Sequence, residues 1–258
     1  MNRREDGRPI DSRWGASCGR CHAAQARFEA TALMRDGTLF VSAPLNRVLA
    51  FDAETGTTRW IFDPQIDKEE EYPEQYTSRG VSMWVESATS TSECARRIFL
   101  ATIDARLMGL DAATGRLCDG FGVKGVIDLR KGAGANNEVV THPYSVTSPP
   151  AIVNDVVVVG SSVTTSSLRD PASAVVRAFD VRTGALRWSF DPIPRNEQHP
   201  ARSTWSADAM TATGGANVWS IIAADGDRDL VFLPTASAAP NHYGGLRPGA
   251  EPTSLPTQ

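Results

Sequence analysis

The sequence predicts an all-β chain, a partial β-propeller of about four blades, each a four-stranded antiparallel sheet. Two observations carry that expectation. A phrase of strand, turn, strand, Asp-x-x-Thr-Gly turn and strand occurs three times along the chain, and a period of tens of residues marks an array of stacked units. The 21 glycines and 16 prolines are spread throughout, and no stretch beyond about a dozen residues keeps the 3.6-residue apolar period of an amphipathic helix.

The first copy runs from Thr38-Leu39-Phe40-Val41-Ser42 through Val48-Leu49-Ala50-Phe51 to Asp52-Ala53-Glu54-Thr55-Gly56 and Arg59-Trp60-Ile61-Phe62. The second runs from Arg97-Ile98-Phe99-Leu100 through Leu107-Met108-Gly109-Leu110 to Asp111-Ala112-Ala113-Thr114-Gly115, and its last strand is expected around Cys118 to Gly122. The third runs from Val156-Val157-Val158-Val159 through Val176-Arg177-Ala178-Phe179 to Asp180-Val181-Arg182-Thr183-Gly184 and Arg187-Trp188-Ser189-Phe190. A weaker fourth copy starts at Asp229-Leu230-Val231-Phe232 with no following partner strand. In each turn the aspartate can accept from the turn amides, and glycine supplies a positive φ at no steric cost. Trp60 and Trp188 have the size and flatness to fill the space between adjacent sheets. Repeated hairpins also build sandwiches; the pairing of Asp-x-x-Thr-Gly with tryptophan favours the propeller.

The chain has 258 residues, 41% of them hydrophobic, which is material for one sizeable core. With 26 Lys and Arg against 30 Asp and Glu the net charge is −4, so no basic excess points to nucleic acid. No apolar run approaches the roughly 18 to 20 residues that span a bilayer. The first residues are basic without an apolar stretch behind them, so this reading frame shows no secretory signal. Residues 1–27 fit no blade, 28–248 form the repeat region, and the proline-rich 249–258 read as a disordered tail. The acidic run Asp67 to Glu71 reads as a solvated loop.

Several phrases resemble, in order, the quinoprotein dehydrogenases that oxidise sugars or alcohols with pyrroloquinoline quinone (PQQ), most of all the glucose and quinate branch. They are Phe28-Glu29-Ala30-Thr31, Thr77-Ser78-Arg79-Gly80-Val81, Ala101 to Leu107, Thr147-Ser148-Pro149-Pro150, Val175 to Asp180, Asn217-Val218-Trp219 and Tyr243 to Pro248. The family's fold is an eight-bladed propeller, and this chain resembles its first half. An open half leaves sheet faces uncovered. The resemblance therefore implies a fragment, a truncated product, or one part of an assembly completed by a C-terminal half-propeller.

PQQ is a flat ortho-quinone with three carboxylates, so its site needs cations, an aromatic face and rim donors. The resemblance assigns Trp219 to the floor under the quinone, Arg79 to a cofactor carboxylate or quinone oxygen, Thr147 to a cofactor-facing hydroxyl and Glu29 to a rim contact. In this family a bound Ca²⁺ polarises the quinone while an aspartate takes the substrate proton. Here the sequence departs. Ser237 stands in Thr235-Ala236-Ser237 where relatives place a calcium-binding Asn, and neutral Thr165 falls near their glutamate ligand. The family's catalytic aspartate lies beyond residue 258, so no catalytic residue is assigned and this polypeptide alone is not expected to turn over substrate.

Cys18-Gly19-Arg20-Cys21-His22 reads as a c-type haem attachment motif. The stretch before Phe28 has no room for a cytochrome domain, and haem is not expected. Cys94 and Cys118 flank the second repeat; they would bridge across that blade in an oxidising periplasm and stay reduced in cytosol. Four cysteines permit three pairings, and the sequence does not choose among them. His142 and His242 are single loop histidines without metal-ligand spacing.

The reading is part of a periplasmic PQQ-dependent dehydrogenase of sugars or alcohols, passing electrons to a quinone or cytochrome. A non-catalytic propeller scaffold, similar to outer-membrane assembly lipoproteins, and a small c-type haem electron carrier are the rival classes.

Overall fold

The computed structural model describes residues 28–246 apart from 71, 73, 88, 134–143, 164–173 and 200. β1 (Phe28–Thr31) precedes a first sheet of β2 (Leu33–Arg35), β3 (Thr38–Ala43), β4 (Arg47–Asp52) and β5 (Thr58–Phe62). β6 (Ser78–Gly80) pairs in parallel with β1. A second sheet follows, made of β7 (Ser82–Val85), β8 (Arg96–Ala101), β9 (Arg106–Asp111) and β10 (Val126–Asp128). β11 (Tyr144–Ser145) leads to the third sheet, which contains β12 (Ala151–Val153), β13 (Val156–Val159), β15 (Val176–Asp180) and β16 (Leu186–Phe190). β14 (Ser162–Val163) leaves that sheet to pair with β11. β17 (Ala223–Asp225) and β18 (Leu230–Phe232) form a final hairpin.

Each complete sheet is antiparallel with its strands bonded in chain order. The innermost strands approach one another, β12 touching both β7 and β17, and the sheets fan outward from that line. This is the expected propeller arrangement.

Strand alternation decides the packing. Val157 and Val159 of β13 face the second sheet in one cluster with Phe99, Leu107 and Phe121. Val158 points the opposite way, into a cluster with Val218 and Ile222 beneath the last hairpin. A blade buried on both faces therefore needs apolar residues at consecutive positions, which is why β13 reads as four valines. Each fully buried valine is worth roughly 1.5 to 3 kcal/mol. Phe40, Val48 and Ala50 join Ile98, Leu100 and Met108 between the first and second sheets.

The three Asp turns are alike. Asp52 Oδ1 accepts from the Glu54 and Thr55 amides and the Thr55 hydroxyl at 3.1, 2.9 and 2.9 Å. Asp111 and Asp180 repeat the pattern with Ala113 and Thr114, and with Arg182 and Thr183. Gly56, Gly115 and Gly184 take φ of 73°, 72° and 74°. At Gly115 space adds to the demand: a Cβ would come within 2.6 Å of the Trp60 ring, whose Nε1 donates to the Ala112 carbonyl at 3.0 Å. Trp60 thus fills the space between sheets as expected.

Three details differ from the sequence expectation. The last strand of the second sheet is Val126–Asp128, beyond the expected Cys118 to Gly122, because Gly122 and Gly125 at φ of 56° and 85° first turn the chain. A short helix, α1 (Ala207–Ala212), interrupts the β pattern and is capped by Ser206, whose side chain accepts from the Ala209 amide at 3.1 Å. Trp188 does not fill a space between sheets but stays 37% exposed.

Among the described residues no helix is long and apolar enough to cross a membrane. Asp67 to Glu70 are exposed, as expected of a solvated loop. Cys94 and Cys118 form a disulfide. Cys18, Cys21, His22, His142, Thr165 and the tail 249–258 lie outside the described residues.

Candidate functional site

Glu29, Arg79, Thr147 and Trp219 come from four distant stretches and meet near the inner strands. β1 carries Glu29 and β6 carries Arg79, and their parallel pairing brings the two side chains together, Arg79 Nη2 lying 3.0 Å from Glu29 Oε2. The Arg79 amide donates to the Thr147 carbonyl at 2.9 Å. Thr147 Oγ1 donates to the Trp219 carbonyl at 3.1 Å. The Arg79 guanidinium carbon lies 5.1 Å from the centroid of the Trp219 ring, within cation–π range. Arg79, Thr147 and Trp219 form a closed circuit of contacts, and Glu29 joins it through Arg79.

The supports are local. Ser78 Oγ donates to Ser42 Oγ at 2.9 Å in a buried pair, fastening β6 to β3. Gly80 takes φ of 146°, and a Cβ there would stand 3.3 Å from the Thr31 carbonyl, so glycine lets β6 run close to β1. The Val146 amide donates to the Thr102 carbonyl at 3.2 Å, holding the strand end before Thr147. Residues 217–219 are pinned by three bonds: Asn217 Nδ2 to the Ser161 carbonyl at 3.1 Å, the Ser161 amide to the Val218 carbonyl at 3.0 Å, and the Ala236 amide to the Asn217 carbonyl at 3.0 Å. Gly160 is needed there, since a Cβ would run into the Val218 carbonyl.

Two features mark the circuit as more than packing. Arg79 Nη1 is buried without a hydrogen-bond partner among the described residues, and so is Ser161 Oγ, whose backbone is bonded to residues 217 and 218. An unmet buried donor costs about 1 to 3 kcal/mol, more when charged, so the site favours an anion that reaches Arg79. Trp219 is 42% exposed although its carbonyl is tied down and its neighbour Val218 is fully buried. A cation with an open valence beside an accessible indole suits a planar, carboxylate-bearing ligand.

Ser237 lies on the segment that pairs with residues 216–217. It is exposed, and its carbonyl accepts from the Ala216 amide at 3.4 Å. Among the described residues no three His, Cys, Asp or Glu side chains converge as a cation site. His242 is exposed. Sequence reasoning missed the roles of Asn217 and Ser161, and of Asn46, whose Oδ1 accepts the Ile103 amide at 3.0 Å. It also missed Glu74, which accepts from Ser162 Oγ at 3.1 Å. Asn217 was visible beside Trp219; the others carried no local signal, being small or polar residues in loops.

The chain was compared with known proteins. Residues 12–254 match the family model PQQ, "Glucose/ethanol/alcohol dehydrogenase, beta-propeller domain". The chain is 35% identical over 227 residues to quinoprotein glucose dehydrogenase of Escherichia coli (strain K12), covering 85% of this chain and 27% of that protein. It is 29% identical over 242 residues to quinate/shikimate dehydrogenase (quinone) of Acinetobacter baylyi (strain ATCC 33305 / BD413 / ADP1), covering 88% of this chain and 29% of that protein. The structure superposes on quinohemoprotein alcohol dehydrogenase ADHIIG from Pseudomonas putida HK5 with a TM-score of 0.65 at 25% identity, covering 83% of this chain and 29% of that one. The chain thus spans under a third of the length of the curated relatives it matches. It belongs to the PQQ family of glucose, ethanol and alcohol dehydrogenase β-propeller domains.

Proposed function

We propose that this chain contributes the PQQ-contacting inner face of a dehydrogenase acting on the CH–OH group of a sugar or alcohol. The observation that carries the reading is the buried, unpartnered Nη1 of Arg79 beside the accessible indole of Trp219. Arg79 would meet a carboxylate of the cofactor, Trp219 would lie under its ring plane, and Thr147 would hold Trp219 in place through the carbonyl bond at 3.1 Å. Glu29 keeps one edge of the guanidinium occupied at 3.0 Å and leaves the other for the ligand. PQQ, when bound, accepts the electrons of the oxidised alcohol.

The fit does not extend to calcium. Among the described residues no cluster of acidic or histidine side chains would hold a hard cation, and Ser237 is exposed. No step is routed through a metal. The remaining elements of the reading are a completing half-propeller, a quinone or cytochrome acceptor, no turnover by this chain alone, and a periplasmic location. The Cys94–Cys118 disulfide supports an oxidising compartment.

The test is equilibrium titration of the purified chain with PQQ, followed by cofactor absorbance and tryptophan quenching. Binding weakened at least tenfold by both Trp219→Ala and Arg79→Gln is expected. Equal affinity in the variants, or no binding by any of them, removes the reading.

A further inference from the structure

The Asp180 turn of the third sheet is gripped from the second sheet at consecutive carbonyls. Arg97 Nη1, on β8, donates to the Val181 and Arg182 carbonyls at 2.8 and 2.7 Å. The Gly122 amide donates to the Thr183 carbonyl at 2.9 Å. Each gripping residue lies just beyond one half of the same disulfide, Arg97 beyond Cys94 and Gly122 beyond Cys118. One covalent bond therefore ties the two grips together.

Cys94 itself relays the first grip. Its carbonyl accepts from Arg97 Nε at 2.8 Å and its amide donates to Asp111 Oδ2 at 2.8 Å. Its φ of 61° lies in the left-handed region that side chains other than glycine seldom adopt, so this backbone is held by its surroundings. On the other arm the Phe121 amide donates to the Cys118 carbonyl at 2.8 Å, one residue before Gly122. Both cysteines sit in the cluster that fills the space between the second and third sheets, with Phe121, Phe179 and Val181. Trp84 of β7 adds to the joint: its Nε1 donates to Asp155 Oδ1 at 3.2 Å, and the Arg97 and Arg182 guanidinium carbons lie 5.8 and 4.6 Å from its ring centroid. Between the first and second sheets the Asp111 turn is met by Trp60 at the Ala112 carbonyl. β10 of the second sheet carries no aromatic residue, and the disulfide-borne grip stands in its place.

The same two sheets carry the two halves of the candidate site. Arg79 leads through Gly80 and Val81 into β7 of the second sheet. Trp219 follows Val218, whose carbonyl is bonded to the Ser161 amide just beyond β13 of the third. The 5.1 Å contact of Arg79 with Trp219 spans the joint, and so does the bond from the Arg79 amide to the Thr147 carbonyl.

We propose that the Cys94–Cys118 disulfide is a thiol-responsive clamp on this joint. Oxidised, it locks Arg97 and Gly122 on the Asp180 turn and fixes the spacing of Arg79 and Trp219. Reduced by two electrons and two protons to a pair of thiols, it frees Cys94 to leave its left-handed backbone and loosens both. The clamp itself rests on the geometry of the joint, and only the identity of the ligand that feels it rests on the PQQ reading.

The chain is prepared in excess dithiothreitol, so that Cys94 and Cys118 are thiols. It is then treated with oxidised glutathione, which takes up the two electrons and two protons released as the S–S bond forms and leaves as two thiols. Amide hydrogen exchange is read by NMR in both states. Exchange at Arg182, Thr183 and Gly184, and at Arg79 and Ser161, is expected to be about fivefold or more slower in the oxidised chain, with Glu54 and Thr55 of the Asp52 turn unchanged. Arg97→Gln, with the disulfide intact, is expected to speed exchange in the Asp180 turn as reduction does. The Cys94→Ala, Cys118→Ala chain is expected to match the reduced parent and not to respond to glutathione, which separates this bond from Cys18 and Cys21. Equal exchange in the two states, a response confined to the Asp180 turn, a change of the same size in the Asp52 turn, an Arg97→Gln chain that exchanges like the oxidised parent, or a response that survives in the double variant overturns the clamp. A chain that shows the expected exchange differences and does not bind PQQ leaves the clamp standing and removes the functional reading.

Discussion

Cys118 stands in the second blade at the place that Arg59 fills in the first, seven residues after the turn aspartate. Arg59 reaches Asp52 Oδ2 at 2.7 Å and Arg187 reaches Asp180 Oδ2 at 2.6 Å, so in two blades the outer strand is tethered to the turn by an ion pair. In the second blade Asp111 Oδ2 accepts instead from the Cys94 amide at 2.8 Å, and Cys94 is bonded to Cys118. A covalent tether replaces an ionic one, over a sequence separation of 24 residues.

Removing that tether should be costly. A loop of this length predicts a loss of about 3 kcal/mol for the Cys94→Ser, Cys118→Ser double variant. Urea unfolding with and without reductant checks this: the parent should lose stability on reduction and the double variant should not respond.

The Asp180 carboxyl should make stability depend on acid. Burial raises its pKa, but the Arg187 guanidinium and the Thr183 amide and hydroxyl outweigh that effect and hold it well below the usual carboxylate range. The unfolded chain, with an ordinary value near ~3.9, takes up the proton first. The contribution is complete above that value and fades as pH falls through it towards the folded-state value. Denaturant midpoints measured between pH 7 and pH 3 should fall below about pH 4, and Asp180→Asn should flatten part of the fall.

Thr147 should act on Trp219 through one hydroxyl. Thr147→Val leaves the Trp219 carbonyl without its donor and should cost about 1 to 2 kcal/mol, while Thr147→Ser should keep most of the bond. In PQQ titrations the Val variant should bind more weakly than the Ser variant. Identical affinities would separate Thr147 from the ligand-facing role of Trp219.

The two repeat tryptophans should differ in weight. Trp60→Ala removes a ring packed on Gly115 and bonded to Ala112, and a loss of about 3 kcal/mol is expected. Trp188→Ala, at a partly exposed site whose indole makes no hydrogen bond among the described residues, should cost less than half as much. Thermal melts of the two variants side by side decide it.

The site was legible only in part. Resemblance nominated Glu29, Arg79, Thr147 and Trp219, and the structure brings all four together; nothing in their spacing along the chain required it. Ser237 came from the same resemblance and is exposed, on the segment bonded to residues 216–217. The residues that hold the circuit, Ser161 and Asn217 among them, act through backbone carbonyls, and such bonds leave no trace in residue type.

What the sequence determined by itself is what short-range chemistry controls. The Asp52, Asp111 and Asp180 turns close within five residues, with glycine where φ is positive, and strand alternation marks which valines face which neighbour. Tertiary structure alone decided where β10 lies, that Trp60 packs on Gly115 while Trp188 stays partly exposed, and that among the described residues Arg79 keeps a buried donor unpaired. Each of these depends on surfaces brought together from distant parts of the chain, and contact between sheets is set by the stacking of whole blades, which no local pattern encodes.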